Sequence, residues 1–260
     1  MQSPATLKKL FDNSFSPTQW IETYYHQNCH FLDDCVKKQI EALSDIFSSG
    51  MIKGDTLLSF TLGPTMHELL AVCEPFKEII MSNVTAEGVC KLKEWVEDKP
   101  GATDWSLAAK MLCEHEGNRG KWMEKQEKLR GVIKQILLSD LTKSNPFEPL
   151  TLPPVDCLLS VYCLESLNLE KPSYKRALKT MSSLVKRGGY IVLVSLPDCA
   201  YFMVGSCKFP HLRMEAEFVS EALCEAGLVL EKQVMIPRVD QELYEVINCS
   251  GTLISVARKE

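Results

Sequence analysis

Short apolar runs alternate with amphipathic segments along the chain, and the sharpest change of period falls within Leu57–Leu70, LLSFTLGPTMHELL. This stretch predicts a buried strand, a tight turn at Gly63-Pro64 and a helix start in immediate succession. A strand that feeds a helix through such a turn is where α/β proteins hold a nucleotide-like cofactor, because backbone N–H groups at the helix start face the ligand. Small residues let the backbone come close, yet this turn presents Thr61 and Leu62 before Gly63.

Ahead of this stretch the pattern is helical. PTQWIETYYH follows Ser16-Pro17, a cap with proline at the first helical position, and LDDCVKKQIEALSDIF is amphipathic. Lying before the first strand, residues 1–50 predict a helical cap over the ligand crevice. Trp20, Tyr24 and Tyr25 then serve either as an aromatic lid or as core.

Beyond the turn, FKEIIMSN (Phe76–Asn83) predicts a second strand and AEGVCKLKEWVED its helix, while the polar residues 98–130 predict a helical insertion on the surface. VIKQILLSD (Val132–Asp140) combines a helix end with a short strand. VDCLLSVYC (Val155–Cys163) predicts a central strand that delivers Val161, Tyr162 and Cys163 to the crevice. SYKRALKTMSSLVKRG predicts a helix closed by Gly188-Gly189, YIVLVSL a strand, and the remainder a helix and two last strands. About seven strands alternating with helices predict an α/β domain with an open, mostly parallel sheet and helices on both faces.

Two strand ends carry polar residues that matter for a nucleoside. A carboxylate at the end of the second strand often takes a ribose diol; here the residue is Asn83, whose amide accepts one hydroxyl hydrogen and donates to another oxygen without the strength of a charge. Asp140, where the third strand stops, suits either an adenine amino group or the cap of the next turn.

Composition narrows the partners. The 260 residues carry a formal net charge of −5, with basic and acidic residues interspersed, which predicts no nucleic-acid partner. The start MQSPATLKKLFDNSF has no apolar core of a signal peptide, and no segment approaches the roughly 20 apolar residues of a membrane span. A soluble cytoplasmic protein with no membrane partner is the expectation. Eleven cysteines, an odd number with no C-x-x-C pair, predict free thiols, and five histidines (His26, His30, His67, His115, His211) are not spaced as metal ligands.

LGPTMHELLAVCEPFKEII, KLKEWVEDKPGATDWS, CEHEGNR, KWMEKQEKLR, LPPVDCLLS, VKRGGYIVLV, YFMVGSCKF and SVARK together resemble the nicotinamide, indolethylamine and phenylethanolamine N-methyltransferases, with the spacing kept through nearly the whole chain. The resemblance implies a Rossmann-like class I methyltransferase fold, S-adenosylmethionine as cofactor and a small aromatic or amine substrate, in a protein acting as a monomer. It puts the cofactor loop on Ser59–Thr65, where Asp-Ile-Gly-Ser-Gly-Pro-Thr is usual. Gly63, Pro64 and Thr65 match; Ser59, Thr61 and Leu62 depart. The implied cofactor contacts are Trp20, Tyr25, Thr61, Gly63, Thr65, His67, Asn83, Val84, Asp140, Leu141 and Val161. On the substrate side the resemblance points to Ser195, Cys199 and His211, with Phe202 and Tyr201 as an aromatic wall, beside Tyr24 and Tyr162. Asp198 suits either an amine contact or a solvated loop.

Methyl transfer from a sulfonium needs an in-line approach and an orienting pocket, so no general base is assigned. Two readings of function follow: an N-methyltransferase with a retuned cofactor site, or a catalytically silent member of the fold serving as a binding or interaction module. Gly63, Thr65, Tyr25 and Asp140 favour the first; Ser59, Thr61, Leu62 and Asn83 favour the second.

Overall fold

The computed structural model describes residues 4–25, 35–239 and 244–260. His26, His30, Cys29 and the first residues of the predicted helix LDDCVKKQIEALSDIF lie outside the described residues.

One seven-stranded sheet carries the fold. β1 (Thr56–Thr61) lies between β2 (Glu78–Asn83) and β4 (Val155–Val161), parallel to both. β3 (Ile133–Leu138) extends one side, and β5 (Val185–Ser195), β9 (Gly251–Lys259) and β8 (Leu228–Pro237) extend the other, the last two joined antiparallel. The chain therefore runs outward from β1 in one direction and then returns to its other side. That reversal opens a crevice beyond the carboxyl ends of β1 and β4, the usual ligand position in such sheets.

Helices pack against this sheet for local reasons that can be read off their ends. In α2 (Pro17–Tyr24), Ser16 accepts a hydrogen bond from the Gln19 N–H and Pro17 occupies the first turn, so the helix starts where predicted. Its buried face is Pro17, Trp20 and Tyr24. With Phe11 of α1 (Pro4–Ser14) and Phe15 just after it, this face meets a hairpin of β6 (Tyr201–Val204) and β7 (Cys207–Pro210) that the pattern of residues does not predict. Phe202 and Phe209 stack at 5.4 Å between centroids, and Trp20 meets Phe202 edge-on at 5.6 Å. The Tyr24 hydroxyl donates to the Met203 carbonyl at 2.8 Å. Each strand of the hairpin is too short for its alternation to stand out from a loop.

Two further expectations change. The helix read as ending at Gly188-Gly189 is α9 (Lys171–Ser183), and β5 begins at once with Val185. Gly188 takes φ of 78° and a Cβ on Gly189 would stand 2.6 Å from the Asp156 carbonyl, so this pair serves a bulge against β4 rather than a helix end. The polar stretch 98–130 contributes α6 (Ser106–His115) and α7 (Trp122–Val132), whose Ala109, Leu112 and Leu129 are core. Lys125 is nearly buried there, ion-paired to Glu116 and Glu74, which explains why a packed helix looks solvated in sequence.

Candidate functional site

The turn after β1 is tied down from several sides. The Leu62 N–H donates to the Val161 carbonyl of β4 and the Thr65 N–H to the Gly63 carbonyl, after which α4 (His67–Val72) begins. Thr61 Oγ1 donates to the Ser82 carbonyl on β2. Gly63 is required by its neighbour: a Cβ there would lie 2.1 Å from Trp20 Nε1, so the indole rests directly on the turn. That Trp20 N–H is buried and has no hydrogen-bond partner.

His67 is fully buried between Tyr25 and Trp105, at 5.2 and 5.5 Å between ring centroids. Its Nδ1 has no partner, and its Nε2 lies 2.9 Å from Glu68 Oε1 without the alignment of a hydrogen bond. Glu68 Oε1 accepts from Gln39 Nε2, and Gln39 Oε1 accepts from the Tyr162 hydroxyl. Tyr162 itself has φ of 56°, a left-handed backbone that costs on the order of 1 kcal/mol and is tolerated where its surroundings fix it. Gln39 and Glu68, which no pattern in the sequence singles out, thus tie Tyr162 to α4 through a buried polar chain.

Asn83 and Val84 are fully buried at the end of β2, and the Asn83 amide turns back onto Thr61, Leu62 and Thr85 rather than outward. Ser139 donates to the Asn83 carbonyl, which brings Asp140 and the buried Leu141 to the same edge of the crevice. One Asp140 oxygen caps the next turn by accepting from the Thr142 N–H and hydroxyl. Trp20, Tyr25, Gly63, Thr65, His67, Asn83, Asp140, Leu141 and Val161 thus surround one end of the sheet.

The residues assigned to substrate gather on the β4–β5 side. Ser195 ends β5; Cys199 is buried with its thiol on the Tyr201 carbonyl, and burial pushes that thiol far above its ordinary range. His211 lies 6.2 Å from Phe202 between ring centroids, and burial lowers its pKa to about 4 while Nδ1 contacts the Cys199 carbonyl and Nε2 is left without a partner. Asp198 sits on a half-buried turn with φ of 58°, its carboxylate 4.0 Å from the Arg213 guanidinium.

Sequence reasoning missed the most perturbed carboxyl of this side. Glu165, in the short α8 (Leu164–Leu167), is buried, and desolvation raises its pKa to about 7 even though Oε1 accepts from the Leu196 N–H. The Ser195 hydroxyl lies against this carboxyl and against Tyr174, whose own hydroxyl makes no well-formed hydrogen bond. A lone acid inside the apolar run Cys163–Leu167 was the available signal. Among the described residues no group of three or more His, Cys, Asp or Glu could hold a metal ion.

This combination of sheet order and crevice defines a class I S-adenosylmethionine-dependent methyltransferase fold. Solved structures of the same architecture include the magnesium protoporphyrin IX methyltransferase of Synechocystis with bound SAM, at 10% identity and a TM-score of 0.61 over 99% of this chain and 97% of that one. The N-methyltransferase NodS of Bradyrhizobium japonicum with S-adenosyl-L-homocysteine gives 13% identity and a TM-score of 0.55 over 94% of this chain and 98% of that one. The chain belongs to the NNMT/PNMT/TEMT family, whose sequence profile matches residues 3–260. It is 38% identical to the nicotinamide N-methyltransferase of Homo sapiens, covering 100% of this chain and 98% of that protein. It is 36% identical to the indolethylamine N-methyltransferase of Oryctolagus cuniculus over 88% of each.

Proposed function

We propose that this protein is an S-adenosylmethionine-dependent N-methyltransferase acting on a small aromatic or amine substrate. Family membership and fold supply the reaction class. The observation that carries the substrate side is Glu165, a buried carboxyl with a pKa near 7 beside Ser195 and Tyr174.

The crevice suits the amino-acid end of the cofactor, since Trp20 Nε1 and the His67 ring present buried nitrogens without partners beside the Gly63 turn, within reach of a carboxylate. Tyr25 and Thr65 complete that end; Asp140, Leu141 and Val161 flank the adenine position. The cofactor supplies a sulfonium-bound methyl group. The chain's part is to hold the acceptor nitrogen in line, exclude water and manage its proton. Phe202, Tyr24 and Trp20 form an apolar, aromatic wall that shields the reacting nitrogen. Glu165 accepts a proton from an ammonium substrate, because a carboxyl titrating near neutrality is part-ionised at working pH. A neutral amine lone pair is the nucleophile that methyl transfer requires.

The same proposal takes the protein as a cytoplasmic monomer with neither nucleic acid nor membrane as partner. Cys73, Cys113, Cys157, Cys163, Cys199 and Cys249 are buried free thiols, which favours a reducing compartment. No described helix is long and apolar enough to cross a membrane.

Titration calorimetry with S-adenosylmethionine and S-adenosylhomocysteine tests the reading. Saturable heat is expected, followed by labelled methyl transfer to one of pyridines, tryptamines or phenylethylamines. Absence of heat at millimolar ligand would return the chain to the silent binding module.

A further inference from the structure

Asn83 uses its whole hydrogen-bonding capacity on the protein itself. Its Nδ2 donates to the carbonyls of Thr61 at 3.1 Å and Leu62 at 3.2 Å; its Oδ1 accepts from the Thr85 N–H and the Thr85 hydroxyl, each at 3.0 Å. A carboxamide has two N–H donors and two carbonyl lone pairs, so nothing is left over for a ligand. The side chain is also fully buried.

The neighbouring sequence is fitted to this pose. Thr85 caps α5 (Ala86–Val96) by accepting from the Gly88 N–H, and a Cβ on Gly88 would lie 2.1 Å from Asn83 Oδ1. Any side chain at residue 88 would therefore displace the amide. A carboxylate at residue 83 could not replace it either, because two of the four partners are carbonyl oxygens that need a donor.

We propose that Asn83 is a positioning residue that clamps the Thr61-Leu62 turn to the end of β2 and to the cap of α5, and that the crevice in consequence does not read the ribose hydroxyls of its nucleoside from β2. In sheets of this kind an acid at that strand end takes the ribose diol. Here the turn is held rigid by the protein's own amide, and the cost is the loss of that recognition. The ligand class is an adenosyl thioether or sulfonium whose ribose is accepted with or without its 2′- or 3′-hydroxyl. This rests on the reading of the crevice as an adenosyl site.

Calorimetry on the unaltered protein compares S-adenosylhomocysteine with its 2′-deoxy and 3′-deoxy counterparts. Dissociation constants within about threefold of one another are expected; a tenfold or larger loss for either deoxy ligand overturns the proposal. Asn83→Asp is expected to weaken S-adenosylhomocysteine binding by threefold or more, since the carboxylate must turn away from two carbonyls, whereas tighter binding overturns it. Should none of the three ligands bind, the adenosyl reading falls by itself. The clamp is then judged by amide hydrogen exchange: Thr85 is expected to exchange at least tenfold faster in Asn83→Ala than in the unaltered protein, and equal rates overturn the clamp.

Discussion

The end of β2 and the end of β5 lie on opposite sides of one crevice and solve burial in opposite ways. At β2, Asn83 and Thr85 satisfy each other and the turn completely. At β5, Glu165, Tyr174 and His211 are just as buried, yet Tyr174 and His211 each keep an unpaired polar atom and Glu165 sits far from its ordinary pKa. A fully satisfied polar network stabilises and fixes geometry, whereas an incompletely satisfied one costs stability and leaves groups free to meet a ligand. On the proposed function, the first region is scaffold and the second is where the acceptor amine is handled.

The largest effect that would break this contrast is on rate. Glu165→Gln keeps the shape and the acceptor for the Leu196 N–H but cannot take a proton, so kcat/KM for an amine substrate is expected to fall by roughly a hundredfold or more. A loss under threefold in steady-state assays would move Glu165 to the scaffold.

Next comes the dependence of stability on pH. Burial holds Glu165 at about 7 against an ordinary 4.5, so the folded state keeps the extra proton between these values. Its contribution is full below pH 4.5 and is lost as pH rises through 7, by roughly 3 kcal/mol. His211 runs the other way: burial lowers it to about 4 from 6.5, so stability is lost as pH falls through 6.5 toward 4. Urea titrations from pH 4 to 8 are expected to lose the alkaline decline in Glu165→Gln and the acid decline in His211→Gln. Unchanged slopes would mean that these groups titrate as they do in the unfolded chain.

On the scaffold side, Gly88→Ala forces a Cβ against the Asn83 amide and is expected to cost about 1–3 kcal/mol by overpacking. A neutral result in thermal denaturation would show that the β2 end yields. Smallest is a control at the far end of the sheet. Asp156 accepts from the Asp55 and Thr56 N–H groups and the Thr56 hydroxyl; burial alone would raise its pKa, but the Lys186 ammonium and these donors hold it at about 2. Asp156→Asn is expected to lower stability by about 1 kcal/mol and leave methyl transfer unchanged.

How far the site was legible varied with the kind of residue. The turn at Gly63-Pro64 announces itself because a strand period, a turn dipeptide and a helix start meet within a few residues. For Asp140, just past β3, the sequence offers a turn cap and an adenine contact; the cap is present, made by one carboxylate oxygen with the Thr142 N–H and hydroxyl. Glu165 and Glu68 carry no such signal, because an acid inside an apolar run has no period of its own. The strand pattern puts Asn83 at the end of β2, but whether an amide faces out to a ribose or back to a turn depends on where two carbonyls and a threonine converge.

The sequence by itself determined the alternation of strands and helices, the position of the Gly63-Pro64 turn and the start of α2, since all of these are set by local period and by capping chemistry. The order of strands, the hairpin laid over the cap, the indole resting on Gly63 and the inward turn of Asn83 were decided by the tertiary structure alone. They depend on contacts between residues far apart in the chain, and no local pattern encodes which buried polar groups will find partners and which will be left for a ligand.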